Sequence, residues 1–375
     1  MENDRRAGLV HIRPHWLCTA GVFAAAISAG CGSVTVEGEP GGAGAGGTAT
    51  TTSTTTTQPP KQLPWLYGDV VLAVRTLNFG EFTKDNKPLP STLALGFNLD
   101  GLESTATSTD LCQPTYKATA EELYPDGPGG IDNSFGARFL PPFLLAEPNF
   151  MENAAEKGEA GQNVWIFRVH APKAGQELSP LHTDVLVGDY PWNEAPAWDG
   201  TDLFPVRSDY LEDGDIDAPL RVLPSGMLVE GPSGEATWLS GEPMDVPLPL
   251  PFGQYDLEVT LRSARITMTF SETPQGLTAK GILGGVLDTT QLIYWFTEVM
   301  GADQPPPECP PPPGQGGWMS GAIGTADILS VGPGQPLQDP TLPCNGISIG
   351  IAFEAESVKL GEVVEPGTSV DPCAP

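Results

Sequence analysis

Apolar residues in this chain come in short runs bounded by Gly, Pro, Asn and Asp, the pattern of strands joined by turns. Asp69–Val74, Thr92–Phe97, Val164–Val169 and Thr183–Val187 are such runs. The clearest alternation sets Tyr255, Leu257, Val259 and Leu261 against Asp256, Glu258, Thr260 and Arg262, then changes parity to Ala264, Ile266, Met268 and Phe270. Strand side chains alternate with period two, so this change of parity predicts a bulge or tight turn near Arg262–Ser263. Ile347, Ile349, Ile351 and Phe353 alternate likewise and shift to Val358 and Leu360. Both stretches predict half-buried antiparallel strands. The strongest helix signal is Thr289–Met300. Asp288 stands at its N-cap and Gln291 at the capping-box position, Leu292, Trp295, Phe296 and Val299 share one face, and Gly301 ends it. Weaker helical patterns cover Glu147–Lys157 and Ala118–Tyr124. Together these predict a mainly β fold, an antiparallel β-sandwich-like domain with a few short helices.

The first sixty residues follow a different rule. Arg5, Arg6 and Arg13 make a cationic start, and Leu17–Gly30 is an uncharged run of 14 residues, too short to span a bilayer. This is the layout of an export signal over residues 1–30. Ser28-Ala29-Gly30 before Cys31 fits a lipoprotein processing site, with Cys31 as the acylated N-terminus. Bacterial lipoboxes usually carry Leu where Ser28 stands, and Ser28 and Gly30 also satisfy an ordinary signal-peptidase site, so plain secretion is the alternative. Residues 31–62 hold a Gly/Ala run from Gly41 to Gly47, a Thr-rich run from Thr50 to Thr57 and Pro59-Pro60, a composition for a disordered tether rather than a core. The domain is expected over residues 63–375, with a possible sub-boundary near residue 240.

Composition sharpens this picture. With 40 Pro and 45 Gly in 375 residues, turns are frequent, while 39% apolar residues and eight Trp suffice for a large core. Formal charge is −29, and −30 once three Arg and two acids leave with residues 1–30. Such a chain repels nucleic acid, and its natural partners are cations or basic envelope proteins. Of six cysteines, Cys18 leaves with the signal and Cys31 is reserved for lipid. Cys112, Cys309, Cys344 and Cys373 remain for two disulfides in an oxidising compartment. Three connectivities are possible; Cys309–Cys344, flanking one short module, with Cys112–Cys373 tying down the tail, is the favoured one. No Cys-x-x-Cys pair supports a zinc site.

Candidate chemistry is sparse. His170 and His182 are the only histidines beyond the signal, each beside a strand, and no G-x-S-x-G elbow or H-E-x-x-H helix is present. They read as structural histidines. Acidic turns of this kind are ordinarily solvated, and calcium is the most reasonable ion if one is bound. Asp126, Asp132 and Asn133 in a glycine-rich loop are the best ligands, ahead of Asn98, Asp100 and Glu103 and of Asp213, Asp215 and Asp217. The last group has EF-hand spacing at its start but Ala218 where the turn needs Gly. Tyr190, Trp192 and Trp198 stand near Glu194 and Asp199, which suits a carbohydrate platform, since sugar C–H faces stack on rings while hydroxyls bond to carboxylates. The same rings also suit clamping a loop onto a sheet.

The segments GFNLDGLEST with the following Cys112, DGPGGIDNSFG, PAWDGTDLF and CNGISIGIAFEAESVKLG resemble a group of exported, lipobox-bearing proteins of myxobacteria-like Gram-negative bacteria. No activity is assigned to that group, so the resemblance implies an address and no chemistry. By Gram-negative sorting logic, Gly32 after the cysteine points to the outer membrane or cell surface. The reading is therefore of a lipid-anchored extracytoplasmic protein whose domain is a non-enzymatic module that binds carbohydrate, a cation or a protein, or serves a structural role in the envelope. The alternative is a polysaccharide hydrolase using paired carboxylates.

Overall fold

A computed structural model describes residues 68–105, 107–115, 126–170, 181–191, 194–230, 236–252, 255–274, 276–293 and 324–366. The export signal, Cys31, the tether, the Ala118–Tyr124 helix, Trp192, Cys309 and Cys373 lie outside these residues. No helix among the described residues is long and apolar enough to cross a membrane.

Eleven strands dominate: β1 (Val70–Asn78), β2 (Val164–His170), β3 (Leu181–Gly188), β4 (Leu203–Arg207), β5 (Val222–Glu230), β6 (Ala236–Leu239), β7 (Met244–Phe252), β8 (Tyr255–Thr273), β9 (Gly276–Asp288), β10 (Gly346–Ser357) and β11 (Lys359–Val364). The helices are short: α1 (Pro90–Leu93), α2 (Leu140–Ala146) after a wide turn at Phe135–Phe139, and α3 (Phe150–Glu159). The mainly β, sandwich-like architecture is as the alternation predicts, and its layers are walls of one sheet. Neighbours run β1-β2-β3 and β1-β10-β9-β8-β6-β5, all antiparallel, and β3 also pairs with β5 through Leu181–Gly226, Thr183–Leu223 and Asp184–Val222. The sheet thus closes on itself. β7 pairs with the first half of β8, β4 touches β3 at Gly188–Val206, and β11 extends β4 in a parallel pairing.

Alternate residues of every wall point inward. Leu72, Trp165, Phe167, Trp238, Phe270 and Phe353 are at most 2% exposed and meet in one core with Phe79, Phe135 and Phe150 of the helical side. Side chains of the described residues pack the interior as one core. A second, smaller core lies outside the β1–β2–β3 wall, where Ala73, Ile166 and Leu186 are covered by Trp198, Phe204 and Val358.

Local departures have local causes. The expected parity change is present: Ser263 adopts φ 49°, register shifts between Arg262 and Arg265, and the Asp245 carboxylate receives the Ser263 N–H at 3.2 Å. Thr92–Phe97 is no strand. Pro90 starts the α1 turn, Gly96 sits at φ 135°, and buried Thr92 spends its hydroxyl on the Glu81 carbonyl and N–H. α3 matches the weaker helix pattern expected over Glu147–Lys157. The helix from Thr289 is described only to Ile293; Asp288 caps it through the N–H of Thr290 at 2.7 Å, while Gln291 accepts the Thr260 N–H instead of closing a capping box. Residue 240 marks no boundary, because residues 61–375 form one compact unit and Ser240 is laced to Ile266 of β8 in both directions.

The favoured cysteine pairing is overturned: Cys112 bonds Cys344, excluding both Cys309–Cys344 and Cys112–Cys373. Gln113 exchanges backbone hydrogen bonds with Leu342 and Cys344, so the chain around residue 112 lies alongside residues 342–344.

Candidate functional site

The glycine-rich loop after residue 125 is drawn into an acidic centre, where Asp126 and Asp132 join Asp327, a residue that no motif in the sequence singles out. The only signal for Asp327 was a charge inside the apolar run Ala326–Leu329. Each carboxylate is held by backbone. Leu99 N–H donates to Asp132 at 2.7 Å, Ser104 N–H donates to Asp126, and Ser348 donates to Asp327 through its N–H at 2.9 Å and its hydroxyl at 2.5 Å. Burial first, then the charges of Asp100 and Asp327, push the Asp132 carboxyl up to about 9. Burial likewise raises Asp126 to about 6 and Asp327 to about 7, against the opposing pull of their hydrogen bonds and Arg138.

These residues do not fit a calcium site. Asn133 spends its amide nitrogen on the Thr92 carbonyl and its oxygen on the N–H groups of Gly136 and Gly350. The adjoining pocket, lined by Asp126, Asn133, Ser134, Arg138 and Asp327, holds no more than about one water. Among the described residues no three His, Cys, Asp or Glu converge as metal ligands. The other two acidic loops are turns. Asp100 accepts the Leu102 N–H and the Gln338 amide, and Asp217 pairs with Arg168 at 3.3 Å. Gln338 also accepts the Cys112 N–H at 2.8 Å, which couples the disulfide to the acidic centre. The His170 ring lies between Asp184 at 2.7 Å and Asp69 at 3.2 Å and stacks on His182 at 4.7 Å.

The aromatic group divides. Trp198 is 7% exposed, at φ 54°, with its indole N–H on the Glu159 carbonyl at 3.0 Å, its ring 5.3 Å from Phe204 and the Arg75 guanidinium over it. Both Asp202 oxygens fix this turn by accepting the N–H groups of Ala197 and Trp198 at 2.8 Å. Trp198 is thus a clamp, with no face left for a ligand. Asp199 is exposed in a turn, where side-chain and then backbone bonds from Thr201 hold its carboxyl below the usual range. Tyr190 and Glu194, however, face one surface hollow of about 580 Å³ with Thr201, Asp202, Gly361 and Glu362. Its floor is the β4–β11 pair, where the register shifts between Leu360 and Val363. Gly361 is required there, because a Cβ would lie 2.9 Å from the Phe204 carbonyl oxygen. Tyr190 packs on Phe204 at 5.1 Å, and its hydroxyl is raised by burial and by the charges of Asp202 and Glu194.

With this geometry in hand, comparison with known proteins adds no identity: no protein-family model matches the chain, and no curated protein or solved structure matches it.

Proposed function

We propose that this chain is an extracytoplasmic lipoprotein, exported by residues 1–30 and held to the outer membrane or cell surface through acylated Cys31, whose domain is a non-enzymatic carbohydrate-binding module. One observation carries the binding reading: the hollow sets the Tyr190 ring beside Glu194, Thr201 and Glu362, a stacking face with hydroxyl acceptors in a volume usual for small-ligand sites. Tyr190→Ala is expected to abolish retention on immobilised glycans while the chain stays folded, at a lower melting temperature because the ring leaves Phe204. Retention equal to the parent would sink this assignment. For the anchor, a labelled fatty acid is expected to enter the parent chain and not Cys31→Ser.

The raised carboxylates of Asp126, Asp132 and Asp327 favour the rival reading of a polysaccharide hydrolase, because perturbed acids gather at catalytic sites. Their backbone bonds and one-water pocket support a structural role instead. Release of reducing sugar from mixed glycans, lost in Asp126→Asn, would establish the rival.

A further inference from the structure

We infer that the glycan bound in the hollow carries free amino groups, as in a glucosamine polymer, rather than being neutral or N-acetylated. The inference rests on the carbohydrate reading above and concerns only the class of sugar. Some acids pair with bases: Glu159 with Arg75, Asp256 with Lys157, Glu258 with Arg207 and Glu354 with Lys280. The hollow has no such pair among its described lining residues. Glu194, Asp202 and Glu362 line it, and no described lining residue is basic. Asp202 is already used by two backbone N–H groups, which leaves Glu194 and Glu362. Both are exposed, and neither carboxylate forms a hydrogen bond or ion pair with another described residue. Lys359, the nearest base along β11, exerts its charge on Asp199, which does not line the hollow.

A concave surface lined by one sign of charge concentrates counter-ions. A neutral sugar would satisfy carboxylate oxygens with its hydroxyls yet leave both negative charges uncompensated as water is displaced. A protonated amine donates up to three hydrogen bonds and cancels charge, and it is attracted to the Tyr190 ring face as well.

The test is calorimetry of the full mature chain with two tetramers of one backbone, glucosamine and N-acetylglucosamine, at about pH 6, where the free amine is protonated. The glucosamine tetramer is expected to bind about tenfold more tightly, with the advantage lost in the Glu194→Gln, Glu362→Gln double variant. Exposed Asp85 and Asp110 do not line the hollow, so Asp85→Asn with Asp110→Asn makes the same change in net charge elsewhere and is expected to keep the preference. Equal affinity for the two tetramers overturns the inference and leaves the carbohydrate reading standing. Equal loss in both double variants also overturns it, since net charge alone would then be the cause. Binding of neither tetramer removes the inference together with that reading.

Discussion

Asp132, Asp126 and Asp327 hold protons more tightly in the folded chain than an exposed aspartate does, and this sets the sign of their pH dependence. As pH rises through about 4, the unfolded chain ionises first, so these groups favour unfolding progressively until their folded-state values near 6, 7 and 9 are passed. Their contribution to stability therefore falls across that window and is flat above it. Asp132→Asn keeps an oxygen for the Leu99 N–H and removes the ionisation, so it is expected to stabilise the fold by about 1 kcal/mol or more at pH 8, and by nothing at pH 4. Urea midpoints at the two pH values check this. Trp198→Ala is expected to cost about 3–5 kcal/mol, because the clamp over Phe204 is deep in the second core. At this scale the sequence marked Tyr190 and Glu194 correctly as neighbours, since they are close along the chain. Asp327 escaped it because the acids it joins, Asp126 and Asp132, lie about 200 residues earlier in the chain.

Element by element, legibility followed how local the cause was. Period two and its break at Arg262–Ser263 are backbone facts written in consecutive residues, and the bend in β8 follows them. Ser263→Gly relieves the positive φ, whereas Ser263→Val adds branching there, so a gap of about 2 kcal/mol between the two variants is expected in equilibrium unfolding. Thr92–Phe97 has strand composition, but the Pro90 start and the tertiary use of the Thr92 hydroxyl outweigh it. β7 went unread because Pro247, Pro249 and Pro251 disguise it. They recur every second residue, so their missing N–H groups all face away from β8, and the ladder runs through the residues between. Prolines on that side also close the edge to other strands.

For the whole molecule, cysteine spacing gave the class of staple but not its partners, since pairing depends on which loops the closed sheet brings together. Cys112–Cys344 spans 232 residues. Its loss in Cys112→Ser with Cys344→Ser is expected to cost roughly 3–5 kcal/mol, read as a lower melting temperature that reductant no longer changes. A chain at −29 repels itself, so added salt is expected to raise the melting temperature of the parent.

The ring of strands also imposes an order of events. β1 opens at Val70, and one of its two neighbours, β10, does not begin until Gly346. A chain that emerges N-terminus first, from a ribosome or a translocation channel, keeps β1 and β9 with one flank unsatisfied until nearly all the domain has appeared. Closure is then a late and non-local step, which makes folding slow. The last strands to emerge act as the release signal for the fold.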